Sequence, residues 1–368
     1  GELEGTEAQR TFRAENYLSL NLGLTASLEA STRRNIKSSM KRFRGYTALM
    51  GDTTYDSDVT WTPKTKEAED IDLAGFATYL VICEELAPGT AKTYLGYVQT
   101  HWFMTFGHHL GRPKGADSIV RRSQIGLAKL SDHVVSRKKA ILTHQVVGVL
   151  AALRQVMEDT ADLRCLVAAI QLGFQGLCRK SEYSETYDRP FKISTSLTMA
   201  DVQFRPSREQ PEVAVIQLKK TKTDRFMQAQ PELILPMDAE APINACNALK
   251  QMLDNTDVPT SEWGNTALFQ YRGAPLRGDL VHRTVQTCMG AMGLRAQDFG
   301  THSLRAGGAT ALADAGCPEV VLKALGRWSS ECYRLYVRCA FNAAMDWSRR
   351  IGTTAAAFRS MNMVHTQR

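Results

Sequence analysis

Apolar side chains recur at helical spacing through the first third of the chain, then give way to a different rhythm. Between Thr32 and Met50 the apolar positions Ile36, Met40 and Phe43 fall three or four apart, the period that sets one face of a helix against a core. The spacing predicts a helix over that span, with Ser31 or Thr32 as its cap. A second helix is predicted over about Ile71 to Glu84, with Leu73, Phe76, Ala77 and Leu80 inward. A third follows Pro88-Gly89, capped by Thr90, with Tyr94, Leu95, Val98 and Trp102 inward, and a fourth covers Ser118 to Leu130. Polar, basic Ser136-Arg137-Lys138-Lys139 then breaks the pattern before Ile141-Leu142-Thr143 opens a new amphipathic helix, with Thr143 as its expected cap. Further on, Val213 to Leu218 is β-branched and apolar, Leu233 to Leu235 is a second apolar run, and polar residues separate them. That arrangement reads as a hairpin. Near the end, Gly316-Cys317-Pro318 marks one helix stopping and another starting, and the second should stop near Gly326.

The polar faces of these helices carry a charge bias. On the first, Arg34, Lys37, Lys41 and Arg44 form an almost unmixed basic stripe, and the fourth carries Arg121 and Arg122. Together with Lys138 and Lys139 they suggest contacts to phosphate rather than a merely solvated face. The whole chain, 368 residues with a formal net charge of +7, agrees with an anionic partner, of which nucleic acid is the commonest. Its eight cysteines are scattered without any CxxC, which reads as reduced thiols of an intracellular protein rather than a disulfide framework. No apolar run approaches the roughly 20 residues a membrane helix needs, so no membrane partner is expected. Sites for metal or nucleotide are not apparent: there is no P-loop and no HExxH, and His108-His109 with His101 lacks cysteine or carboxylate partners at suitable spacing.

The densest chemistry lies between Thr301 and Arg338, THSLRAGGATALADAGCPEVVLKALGRWSSECYRLYVR. His302 and Arg305 stand three apart and would share a helix face. Gly307 and Gly308 remove side chains where another backbone or a ligand could approach closely. Trp328, Tyr333 and Tyr336 follow the second helix. Cations beside a phenol suggest an anion held next to a potential nucleophile.

This ordered set resembles the C-terminal signature of the tyrosine recombinases, the phage-integrase superfamily: His302-x-x-Arg305, then Leu325-Gly326-Arg327-Trp328, then Tyr336-Val337-Arg338. Upstream, GLCRKSEY (Gly176 to Tyr183) is similar to the family's first arginine motif, with Arg179 as the arginine and Glu182 three residues on. LTMADVQF (Leu197 to Phe204) resembles the first strand of the family's small sheet, whose next hairpin carries a catalytic lysine on its turn. Lys222 matches that lysine best, with Lys220 as runner-up in a basic, DNA-facing turn that also holds Lys219 and Arg225. The resemblance covers about the last two-thirds of the chain.

It implies a fold that is mostly α with a small antiparallel β-sheet in the catalytic domain, and a two-domain clamp on DNA. The expected divisions are an extended or disordered N-terminus over 1–14, a helical core-binding domain over 15–132, a linker over 133–140, a catalytic domain over 141–352 and a tail over 353–368. It further implies cleavage and rejoining of DNA at a specific recombination site through a 3′-phosphotyrosine, with a homotetramer on the DNA and with no cofactor, metal or ATP. Tyr336 would be the nucleophile, Arg179 and Arg305 the clamp on the phosphate, and Lys222 the general acid for the 5′-oxygen. His302 would donate to a phosphate oxygen or help deprotonate the tyrosine, Trp328 would offer its indole N–H, and Glu182 would orient Arg179 or His302. The tyrosine position departs from the commoner family spacing of nine residues after the His/Trp position, which here falls on Val337. Tyr336 lies eight residues after Trp328 and keeps the Tyr-x-Arg ending, whereas Tyr333 lies only five after it. Two other readings use the same residues: a type IB topoisomerase, and a domesticated DNA-binding protein that no longer cuts.

Overall fold

In the computed structural model, the described residues are 23, 27–57, 62–112, 118–132, 138–219 and 231–335. The chain divides into two compact units, Gly1–Val135 and Ser136–Arg368. The expected N-terminal segment and tail lie outside the described residues, as do 133–137 of the expected linker.

The first unit is helical: α1 (Ala30–Leu49), α2 (Lys66–Ile82), α3 (Pro88–Phe106) and α4 (Ile119–Leu130). Ile36, Met40 and Phe43 are buried on α1 as their spacing requires, but its N-cap is Glu29, without a side-chain bond, so Ser31 and Thr32 sit inside the first turn. Likewise α3 begins at Pro88 with Ala87 at the cap, which moves Thr90 into the helix. Proline suits that first position because its missing N–H would be unpaired anyway. The fourth helix begins one residue later than expected, with Ser118 as its cap, its hydroxyl accepting the Arg121 N–H at 3.3 Å.

α2 starts five residues before the apolar pattern suggests, because its first turns carry the buried carboxylates Glu69 and Asp70. Their partners are distant in sequence. Glu69 accepts the Gly111 N–H at 2.9 Å and pairs with Lys66 and His108, and Asp70 accepts the Arg112 N–H at 3.0 Å. Two buried carboxylates thus pin the segment after α3, an arrangement that apolar periodicity cannot reveal. His108 is used in this pairing, His109 stacks on Phe103 at 4.4 Å and His101 packs against Trp102 at 5.4 Å. Among the described residues no cluster of three or more His, Cys, Asp or Glu side chains could hold a metal ion.

Phe43, Tyr55, Phe76 and Trp102 form the aromatic centre of this unit, with Tyr55 5.0 Å from Phe43 and 5.3 Å from Trp102. The Tyr55 hydroxyl donates to Asp72 at 2.6 Å, and Lys64 reaches the same carboxylate at 2.9 Å. Tyr55→Phe keeps the ring and removes a bond to a charged acceptor, so it should cost about 1.5–3 kcal/mol. Chemical denaturation followed by the fluorescence of the adjoining Trp102 checks this, and an unchanged midpoint would show that Lys64 alone satisfies Asp72.

The second unit holds α5 (Thr143–Val156), α6 (Ala161–Gln175), a single turn α7 (Lys180–Tyr183), β1 (Val202–Pro206), β2 (Pro211–Gln217), β3 (Glu232–Pro236), α8 (Ala245–Asp254), a two-residue pair β4 (Gln270–Tyr271) and β5 (Ala274–Pro275), α9 (Gly278–Ala291), α10 (Thr301–Asp314) and α11 (Glu319–Leu325). The three longer strands form an antiparallel sheet in the order β1-β2-β3, with Val202 opposite Ile216 and Ile216 opposite Leu233. The chain is therefore mostly α with a small antiparallel sheet. The cap of α5 is Leu142, whose N–H is taken by the Gln145 side chain at 2.9 Å, so Thr143 is the first helical residue and not the cap.

Helix α6 is apolar almost all round and buried from Leu163 to Phe174 apart from Arg164, as a central helix must be. It packs against α8 and α10. Its polar residues serve those neighbours: Gln171 and Gln175 accept the N–H groups of Asn244 and Ala245 at 2.6 and 2.8 Å, satisfying the buried start of α8.

Candidate active site

Helix α10 carries both members of the His-x-x-Arg pair. It begins after Gly300, whose N–H is accepted by the Ser303 hydroxyl at 3.1 Å. The pair of glycines explains its seating. A Cβ on Gly307 would lie 1.9 Å from the Ile141 carbonyl oxygen, and one on Gly308 would lie 2.1 Å from that of Phe174. Both glycines therefore admit neighbouring main chain rather than a ligand. Packed this tightly, α10 is buried from Thr301 to Thr310 except at His302, which opens to solvent.

Arg305, only 1 % exposed, turns inward. Its Nη1 donates to the Leu177 carbonyl and its Nη2 to that of Gly326, while the guanidinium lies 4.6 Å from the centre of the Trp328 ring. Two of its five N–H groups are thus spent on the protein. Burial, helped by the nearby Arg179, pushes its pKa down to about 10, which leaves it charged at neutral pH.

The first arginine motif folds around Glu182. The Leu177 backbone has φ +48°, and Arg179 sits at the cap of α7. Glu182 folds back to accept the Arg179 N–H at 2.8 Å, and its other oxygen accepts Arg179 Nη1 at 2.8 Å. Burial by itself would raise the Glu182 pKa. Arg327, the Arg179 N–H and the guanidiniums of Arg179 and Arg305 together hold it below the usual carboxylate value. His302 is lowered from 6.5 by desolvation and by the charges of Arg305 and Arg179, so it is a neutral imidazole at pH 7. Buried Cys178 is pushed up to about 12 and stays a thiol.

Arg327, passed over in the sequence, completes the cluster. It pairs with Glu182 at 3.0 Å and donates to the carbonyls of Gly176, Leu177 and Leu325 at 3.2, 2.9 and 3.0 Å. The available signal was a charged residue between the glycine and the tryptophan of the motif. Three guanidiniums around one carboxylate leave two positive charges in excess.

Trp328 is buried with Leu177, Ala309, Leu322 and Tyr333. Gly326 makes room for its ring, since a Cβ there would lie 1.8 Å from it. The ring of Tyr333, 3 % exposed, is 6.0 Å from that of Trp328, and its hydroxyl meets Glu331 at 3.0 Å and Arg334 at 3.1 Å. Tyr336, Lys222 and Lys220 lie outside the described residues. Lys219, at the end of β2, is committed elsewhere: it pairs with Asp201 at 2.8 Å and donates to Ile193 O at 3.0 Å.

The basic residues expected to meet phosphate are not equivalent. Arg34, Lys37 and Lys41 are exposed on α1, whereas Arg44 turns back to donate to the Tyr55 carbonyl at 3.0 Å. Arg121 and Arg122 are exposed on α4. Lys139 is paired with Asp298 at 2.7 Å, and Lys138 donates to the Gln297 carbonyl, so both serve the start of the second unit. No helix among the described residues is long and apolar enough to cross a membrane.

No protein-family profile and no curated protein sequence matches the chain. Solved structures do. It is similar to the Tn1549 transposon integrase in complex with transposon right end DNA, with 13% identity, coverage of 88% of this chain and 95% of that one, and a TM-score of 0.56. It is also similar to the XerH site-specific recombinase bound to palindromic difH substrate in a post-cleavage complex (15% identity, 84% and 75% covered, TM-score 0.54). A lambda integrase dimer bound to a COC′ core site matches at 14% identity over 92% and 82% of the two chains, with a TM-score of 0.50. At 13–15% identity the likeness is one of fold, and that fold is the fold of the tyrosine recombinases.

Proposed function

We propose that this chain is a site-specific DNA recombinase that cuts and rejoins double-stranded DNA through a 3′-phosphotyrosine, without metal or ATP, in the integration or excision of a mobile element. The observation that carries the reading is the buried Arg305, stacked on Trp328 and joined through the Leu177 carbonyl to the turn that presents Arg179. A cation is buried at such cost only where an anion or a fixed partner repays it, and this cluster holds more positive charge than its one carboxylate balances. The DNA partners named for the Tn1549, XerH and lambda structures favour the same substrate class.

In this mechanism the Tyr336 hydroxyl attacks the scissile phosphorus, the bond to the 5′-oxygen breaks, and a 3′-phosphotyrosine forms. Lys222 protonates the departing 5′-oxygen. Arg179 and Arg305 offset the charge that gathers on the non-bridging oxygens. His302, whose pKa desolvation and the charges of Arg305 and Arg179 hold below the usual imidazole value, can take the phenol proton or donate to a phosphate oxygen. Trp328 lies under Arg305 and holds its plane. Attack by a second 5′-hydroxyl reverses the step and conserves the bond energy. The exposed Arg34, Lys37, Lys41, Arg121 and Arg122 grip the backbone, and four protomers on two duplexes carry the exchange.

The test is covalent trapping on nicked suicide duplexes drawn from the DNA flanking the gene, in EDTA and without ATP. An SDS-resistant adduct is expected, and binding should weaken with salt at about −0.9 in the log–log slope per phosphate contact. Tight binding without any adduct would indicate a non-cutting DNA-binding protein. Relaxation of supercoils without strand exchange would indicate a topoisomerase.

A further inference from the structure

We infer that Arg327 is a positioning residue of the cleavage site, which locks the Arg179 turn to the Trp328 turn through Glu182 and the Leu177 carbonyl. This rests on the recombinase reading and deepens it. All the hydrogen bonds of the Arg327 guanidinium go to protein: Glu182 Oε2 at 3.0 Å, Leu177 O at 2.9 Å, Gly176 O at 3.2 Å and Leu325 O at 3.0 Å. Its side chain is 7 % exposed and that of Glu182 1 %, so both charges have left water and each depends on the other. Four of its five N–H groups are spent in this way and the Nε–H, which has no partner, is itself buried, whereas Arg305 spends two on the protein.

The lock has two hubs. Glu182 gives one oxygen to Arg179 Nη1, and the other to the Arg179 N–H and to Arg327. The Leu177 carbonyl accepts from both Arg305 and Arg327. Three arginines from three separate stretches of chain are thereby fixed relative to one another. The backbone at both ends of the lock is strained: Leu177 has φ +48° and Arg327 φ +55°. Residues with side chains rarely adopt that region unless their surroundings over-determine it. Here the two strained residues are bonded to each other, so releasing one releases both.

Glu182 also reports on the lock. Burial favours its neutral form, and the opposing influence of Arg327 is the largest among those that keep it ionised. With Arg327 neutralised, burial gains, the carboxyl takes up a proton at higher pH, and Arg179 loses its counter-charge.

The experiment compares wild type, Arg327→Gln and Arg327→Lys. Single-turnover adduct formation on the suicide duplex is followed from pH 5 to 9, with duplex affinity measured separately. Arg327→Gln is expected to cut about a hundredfold more slowly, the loss that a misplacement near 1 Å can bring, with affinity within about twofold. The acid limb of its rate profile should move to higher pH, and Arg327→Lys should return that limb towards wild type. Cutting by Arg327→Gln at the wild-type rate overturns the inference. So does a slow variant whose acid limb has not moved, because a general loss of packing would act that way. Carbon-13 NMR of labelled glutamate carboxyls, with Glu182 assigned by difference against Glu182→Gln, follows the same protonation without DNA. An unmoved Glu182 titration in Arg327→Gln rejects the lock whether or not any duplex is cut. A moved Glu182 titration in Arg327→Gln, with no adduct formed by the wild type, rejects the recombinase reading instead. Should Arg327→Gln fail to fold, Arg327→Asn removes the charge with a residue that tolerates left-handed backbone.

Discussion

Tyr336→Phe should abolish the covalent DNA adduct while leaving duplex binding within about twofold of wild type. Removing a nucleophile from a catalytic set typically costs at least about 10⁴-fold, which takes the adduct below detection on any practical gel. Binding is spared because a phenol contributes little beside the phosphate contacts that dominate affinity. Tyr333→Phe is the informative control. The Tyr333 ring belongs to the small core around Trp328, and its hydroxyl is engaged by Glu331 and Arg334. That substitution should cost about 1 kcal/mol of stability and leave the adduct in place. An adduct lost in Tyr333→Phe and kept in Tyr336→Phe would reverse the assignment and preserve the enzyme class.

The second large effect is expected at Arg305. Arg305→Ala strands the carbonyls of Leu177 and Gly326 and bares the face of Trp328, and it removes a cation from the proposed phosphate clamp. Losing one positioned donor to a developing charge costs about 10²–10³ in rate. Stranding a buried carbonyl costs about 1–3 kcal/mol, so cutting and stability should fall together. Arg305→Lys separates the two. A lysine keeps the charge but cannot present a planar fork to two carbonyls, so its adduct rate should stay close to that of alanine. Adduct formation by Arg305→Lys within about tenfold of wild type would show that charge alone suffices and that the fork is dispensable. The lowered pKa does not confuse this reading, because at about 10 Arg305 remains protonated across the range assayed.

The elements that could be read from the sequence are those whose cause is local. The apolar rows of α1 and α3, the β-branched run of β2 and the glycine-proline break before α11 repeat within a few residues, and each announces itself. Helix starts were harder. The expected caps at Ser31 or Thr32, at Thr90 and at Thr143 gave way to Glu29, Ala87 and Leu142. A hydroxyl near a helix start is equally at home one turn inside it. The early start of α2 was hidden because Glu69 and Asp70 look like surface residues until the backbone of Gly111 and Arg112 is brought to them. The same distance concealed Arg327, whose partners at Gly176, Leu177 and Glu182 lie about 150 residues away. Within the candidate site, His302, Arg305, Arg179, Glu182 and Trp328 could be named from ordered motifs. That Arg305 gives two donors to the carbonyls of Leu177 and Gly326 could not, because that depends on which carbonyls face it.

The glycine pair in α10 bears on how such a site tolerates change. Where helices meet through side chains, every substitution in the interface resets their separation by the volume of what is inserted. At Gly307 and Gly308 the spacing is instead set by main chain meeting main chain at Ile141 and Phe174. Main-chain dimensions are common to all sequences. The distance from α10 to α6 therefore works as a fixed gauge, and His302 and Arg305 inherit their depth from it. Leucines and valines elsewhere in the core can change while these two residues keep the same depth beside Glu182 and Arg179.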